Sequence, residues 1–157
     1  MKPERRQDTP VPSGRDITEQ VRAAWLAAIV SSSEDAIIGK TLDGTITSWN
    51  AGAEAMYGYT AAEITGHSIA QLIPPDRPDE LPEILAQLAR GQRIDHFQTR
   101  RVRKDGTLID VSVSVSPVRD ADGQVTGFAT VARDITEQVR AAAANTLRSV
   151  IARAAAL

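Results

Sequence analysis

The chain contains no cysteine. That absence excludes a disulfide framework, a thiolate metal site, a cysteine nucleophile and a cysteinyl photoadduct. Imidazole is nearly as scarce, because His67 and His96 are the only histidines, and a transition-metal site usually needs more ligands than that. Long apolar runs are also missing. The longest, from Ala23 to Val30, has 8 residues, against roughly 20 for a bilayer-spanning helix. Charge of one sign is lacking too: 18 basic against 20 acidic side chains give a net charge of -2, so no positive field would hold a nucleic acid or an anionic membrane. The opening Met1-Lys2-Pro3-Glu4-Arg5-Arg6 leads into polar, proline-containing sequence instead of the apolar stretch of a secretory signal. The expectation is a cytoplasmic protein without a membrane span.

What the chain does have is enough apolar material, 42% of 157 residues, for one globular domain with extensions. Its organisation shows in a repeat. Arg15-Asp16-Ile17-Thr18-Glu19-Gln20-Val21-Arg22-Ala23-Ala24 recurs residue for residue from Arg133 to Ala142, an offset of 133 − 15 = 118. A spacing of about one small domain reads as the exit of each unit in a tandem array. The chain then carries the exit helix of a preceding unit, one complete unit, and that unit's own exit helix, as a part of something longer.

Residues 1–14, with Pro3, Pro10, Pro12 and Gly14 and few large apolar side chains, read as a disordered tail. From Asp16, an N-cap candidate with Glu19 three residues on, Ile17, Val21, Trp25 and Ile29 follow at helical spacing, so an amphipathic helix is expected over 15–30. The second copy continues as Val139, Ala143, Leu147, Val150, Ala154 and Leu157, one apolar seam on a helix over 135–157. Such a seam needs a partner, and Val21, Trp25, Val139 and Leu147 are the residues expected to hold a homodimer together.

Between the helices the period changes. Asp43-Gly44, Asp105-Gly106 and Asp122-Gly123 each sit between strand-like runs, the signature of tight hairpins. Ile109, Val111, Val113 and Val115 alternate with Asp110, Ser112, Ser114 and Ser116, as in a strand with one buried face. Further strands are expected at 36–40, 45–49, 94–104 and 124–132. Helical signals lie between the second and third: Asn50 as an N-cap, Thr60 to Glu63 as a capping box closed by Gly66, and Pro78 to Arg90 closed by Gly91.

The wording Asp43-Gly44-Thr45-Ile46-Thr47-Ser48-Trp49-Asn50, then Tyr57-Gly58-Tyr59-Thr60, Arg103-Lys104-Asp105-Gly106 and Asp134-Ile135-Thr136, resembles the PAS domain family over about Ser31 to Thr136. The resemblance implies an α+β fold, a five-stranded antiparallel sheet with helices on one face, occupying 31–134 and flanked by amphipathic helices. It implies a noncatalytic sensor, relay and dimerisation module of a multidomain signalling protein, a two-component system for example. The effector would lie in cis and be of the histidine kinase or cyclic-dinucleotide enzyme type. The alternatives are a ligand-free interaction and assembly module, and a redox sensor holding noncovalent FAD. Within the resemblance, Asp134, Ile135 and Thr136 tether the exit helix to the domain and couple signals.

Other chemistry finds little support. Gly39-Lys40-Thr41 lacks the first glycine of a phosphate loop, since Glu34 stands there, and Asp120 and Asp122 with Gly123 read as a turn before a calcium loop. Ser31 to Ser33 lie outside any Gly-x-Ser-x-Gly context, and Glu80 and Glu83 read as complements to a helix dipole. The haem-binding members' axial histidine corresponds to Leu81, and the flavin-reading strand positions are Arg101 and Val111, so no cofactor is expected, with FAD or haem as lesser alternatives; Trp49 and Phe97 offer stacking surface for a flavin. The interior left by Leu72, Leu81, Ile84, Leu85, Val111 and Val113 favours a small apolar ligand oriented by His96 or Gln98.

Overall fold

The computed structural model describes residues 14–156. Residues 1–13, most of the expected tail, lie outside the described residues, as does Leu157 at the end of the seam. Five strands form one antiparallel sheet: β1 (Ala36–Lys40), β2 (Ile46–Trp49), β3 (Ile94–Val102), β4 (Leu108–Arg119) and β5 (Val125–Asp134), in the order β2-β1-β5-β4-β3. Helices α2 (Ala51–Tyr57), α3 (Ala61–Ile64) and α4 (Glu80–Ala89), with a single 3-10 turn at Ile69–Leu72, connect β2 to β3. The flanking helices are α1 (Gly14–Ser32) and α5 (Thr136–Ala155). Among the described residues no helix is long and apolar enough to cross a membrane.

The period of two dictates which sheet face is covered. Ile109, Val111, Val113 and Val115 on β4 and Ala36 and Ile38 on β1 are buried in one core with Ile64, Leu72, Ile84 and Leu88 from the helical layer. The same parity carries Lys40, at the end of β1, onto the buried face. The hairpins close as their Asp-Gly pairs require. At the β4–β5 turn Gly123 has φ 80°, and the Asp120 carboxylate accepts from the amides of Asp122 and Gln124, both at 2.9 Å. Those bonds occupy the side chain that a calcium loop would need. Thr60 and Glu63 form the reciprocal capping box at α3, and Asn50 caps α2.

Several boundaries differ from the sequence reading by one or two residues. α1 begins at Gly14, so Asp16 lies inside the helix instead of capping it. α4 begins at Glu80, because Pro78 and Asp79 remain in the preceding turn. β3 ends at Val102, where the hairpin bond from the Arg103 amide to the Thr107 carbonyl begins. The two identical decapeptides also differ in conformation: Arg15 and Asp16 are helical, whereas Arg133 and Asp134 extend β5, paired to Ser112 and Val111. β4 supplies a ladder that the first copy does not meet, so tertiary pairing overrides a shared local preference.

Candidate functional site

Where the core face of the sheet meets α4, polar chemistry replaces aliphatic packing. Arg101, inward on β3, donates from Nη1 to Glu80 Oε1 at 2.6 Å, and both side chains are buried. The Thr99 hydroxyl donates to the other oxygen, Oε2, at 2.9 Å, and Arg77 Nη1 donates to that hydroxyl at 3.3 Å. Glu80 is thus no surface complement to a helix dipole; it is the carboxylate that makes Arg101 tolerable in the interior. Glu83 is exposed, so the two do not form a pair.

Beside this pair is an internal cavity of about 20 Å³, bordered by Ile38, Tyr57, Leu72, Leu81, Ile84, Val113 and Val115, with Lys40, Arg101 and Thr130 supplying polar groups. Lys40 is 7% exposed, and among the described residues its ammonium makes neither an ion pair nor a hydrogen bond. Burial, reinforced by the like charge of Arg101, pulls its pKa down from 10.5 to about 8. Burial pushes the Tyr57 phenol up to about 12. The Thr130 hydroxyl is buried without a hydrogen-bond partner.

Of the expected pocket residues, Leu72, Leu81, Ile84 and Val113 border the cavity. Leu85 packs against the core from its edge, and Val111 is buried between its sheet neighbours without reaching the cavity. His96 and Gln98 are corrected outward: both are exposed. A bulge between Ile94 and Phe97 breaks the strand's alternation, and His96 takes φ 50° there with its amide on Ser114 Oγ at 3.1 Å. The polar side chains that border the cavity are instead Lys40, Arg101, Thr130 and the Tyr57 phenol. The inward parity of Lys40 was visible in the Ala36-Ile38-Lys40 alternation, but Thr130 carries no comparable signal.

Both flanking helices are fastened to the domain. Asp134 Oδ1 accepts from the Thr136 amide at 2.9 Å and from its hydroxyl at 2.5 Å. The Thr136 oxygen in turn accepts from the Asp110 amide on β4 at 3.1 Å, and the Ile135 amide donates to the Asp110 carbonyl at 2.8 Å. At the other end Asn50 is buried and fully used: its Nδ2 donates to the carbonyls of Val30 and Asp35, and its Oδ1 accepts from the amides of Ile37 and Ala53. Gly52 permits this crossing, since a Cβ there would meet the Asp35 carbonyl oxygen at 2.3 Å. Sequence reasoning found Asn50 as a cap and missed its hold on α1. Along the flanking helices Val21 (58%), Trp25 (73%) and Leu147 (60%) are exposed, and Val139 is at 36%.

A family model described as PAS fold matches residues 25–135. The chain belongs to the PAS family. It is 38% identical over 102 residues to two-component system protein A of Emericella nidulans, covering 64% of this chain and 15% of that protein. To the C4-dicarboxylate transport sensor protein DctS of Rhodobacter capsulatus it is 35% identical over 123 residues, covering 76% and 18%. The chain therefore spans less than a fifth of the length of these two relatives. Among solved structures, the PAS domain of a Colwellia psychrerythraea protein superposes with a TM-score of 0.69 at 24% identity, over 74% of this chain and 98% of that one. An RNA-binding Light-Oxygen-Voltage receptor gives 0.71 at 25%, over 92% and 42%.

The interior of this PAS domain does not fit a flavin. A tricyclic ring needs several hundred Å³, whereas the space left beside the Arg101–Glu80 pair is about 20 Å³. Trp49 is buried against Tyr57 with its Nε1 on the Tyr59 carbonyl, and Phe97 lies at the far edge on β3, partly exposed, so the two do not form a stacking surface. Haem fares no better: Leu81 borders the cavity, while His67 and His96 are exposed. Among the described residues no group of three His, Asp or Glu side chains could hold a metal ion.

Proposed function

We propose that this chain is a noncatalytic PAS sensor and relay module working in the cytoplasm, which homodimerises through α1 and α5 and sets their packing for an effector domain in cis. The observation that carries this reading is the clamp at Asp134, Thr136 and Asp110. Its acceptor strand, β4, also presents Val113 and Val115 to the interior cavity. A shift of β4 on the core side thereby moves the anchor of α5, and the exposed Val139 and Leu147 carry that motion to a partner helix. The names of the relatives, a two-component system protein and a transport sensor, support a signalling role and a histidine-kinase type of effector.

The decisive comparison is Asp134→Ala against the helix-surface control Gln138→Ala in the full-length parent. Losing the first-turn bonds costs about 0.5 to 2 kcal/mol, comparable to the gap of a few kcal/mol between two states of a bistable helix pair. Asp134→Ala is expected to stay folded while shifting effector output, with Gln138→Ala neutral. Unaltered output from a stably folded Asp134→Ala parent refutes the relay. A second reading, a ligand-free assembly module, is favoured by the smallness of the cavity, and it predicts native mass spectra without a retained ligand.

A further inference from the structure

We propose that the inner cavity is a binding site for a small monovalent anion, of the size of chloride or formate, held by the Lys40 ammonium and the Thr130 hydroxyl. The first argument is charge. Arg77 and Arg101 share one carboxylate, Glu80, whose oxygens are taken by Arg101 and by the Thr99–Arg77 chain. Lys40 is left with a like charge as its charged neighbour. A buried charge that is neither paired nor neutralised is costly, and water in the cavity would solvate the ammonium without cancelling its charge.

The second argument is a vacant donor. Thr130 is 5% exposed and its hydroxyl has no partner among the described residues, yet it borders the same cavity as Lys40. Buried hydroxyls are nearly always bonded, so an orphan donor beside an orphan cation points to one shared acceptor. The third argument is size. About 20 Å³ exceeds the space one water needs and is far below that of a drug-sized ligand. Apart from the Tyr57 phenol and the Arg101 guanidinium, which is already paired with Glu80, the remaining border is aliphatic, which favours a weakly hydrated monovalent ion over a divalent one.

This assignment supplies a stimulus for the relay described above and rests on that reading for its purpose, but its test does not depend on coupling. The whole chain is titrated with sodium chloride and, separately, sodium formate, with sodium gluconate, too bulky for the cavity, holding ionic strength constant. Melting temperature and calorimetric heat in HEPES and Tris at pH 8 are recorded. One or both small anions should stabilise the protein saturably, and which of them does so identifies the ion. Binding should take up about half a proton at pH 8, because the Lys40 amine, near 8 when free, becomes fully protonated beside an anion.

Lys40→Met, which keeps the aliphatic stem, should weaken the response at least tenfold, and Thr130→Val should weaken it measurably. Thr130→Val is the second test should Lys40→Met fold poorly. A linear response shared with gluconate, or an undiminished response in both variants, overturns the anion site. Such a failure would leave the Asp134→Ala comparison intact, whereas a saturable, Lys40-dependent response with unaltered Asp134→Ala output would refute the relay alone.

Discussion

Replacing Lys40 by Met should make the protein more stable, and the gain should depend on pH in a defined way. In the folded chain the amine titrates near 8 because burial and Arg101 both oppose its charge; unfolded, it titrates at 10.5. The difference corresponds to about 3 kcal/mol that folding spends on desolvating the ammonium. Below pH 8 both states hold the proton and the wild type bears this cost in full. Between 8 and 10.5 the unfolded chain keeps a proton that the folded chain has released, so wild-type stability rises with pH. Tyr57 acts the other way: with its folded value near 12 against 10 unfolded, stability falls as pH rises above 10. The wild type should therefore peak near pH 10. Lys40→Met should gain about 2 to 3 kcal/mol at pH 7, a rise in melting temperature of roughly 6 to 12 °C, and lose the climb between pH 8 and 10. Urea unfolding at pH 7, 8, 9 and 10 in gluconate buffer measures both, and chloride or formate should narrow the gap by stabilising only the wild type. A Lys40→Met protein less stable than wild type at pH 7, or a wild type flat from pH 8 to 10, would refute the burial argument.

Glu80→Ala should cost about 3 to 5 kcal/mol in urea melts by stranding Arg101, and Glu80→Met with Arg101→Met should recover most of the loss. Asn50→Ala removes one side chain's hold on four backbone groups and should cost on the order of 2 to 4 kcal/mol, with hydrogen exchange accelerating first at Ile37 and Ala53. Val139→Glu combined with Leu147→Glu should convert a dimer into a monomer in light scattering, and an unchanged mass would contradict the helix seam. Absorbance of freshly purified protein should show neither a Soret nor a flavin band, given the volume beside Arg101.

The features legible in the sequence are those with a short physical range. Alternation along Ile109 to Val115, the Asp-Gly hairpins and the Thr60–Glu63 capping box depend on neighbours a few positions apart, and their order sufficed to mark the PAS resemblance. The inward parity of Lys40 belongs to the same class. Other features had no local signal. Glu80 and Arg101 are 21 positions apart and become partners because α4 packs over β3. Asn50 reaches Val30, 20 positions away, where Gly52 lets the chain pass. The bulge that turns His96 outward depends on the register with β4. One ten-residue sequence is helical throughout in its first copy, whereas the second begins with two strand residues, Arg133 and Asp134, since β4 offers them hydrogen-bond partners. Local periodicity sets which face of each element is apolar; which buried charges meet, and which are left without a partner, follows from how those faces pack.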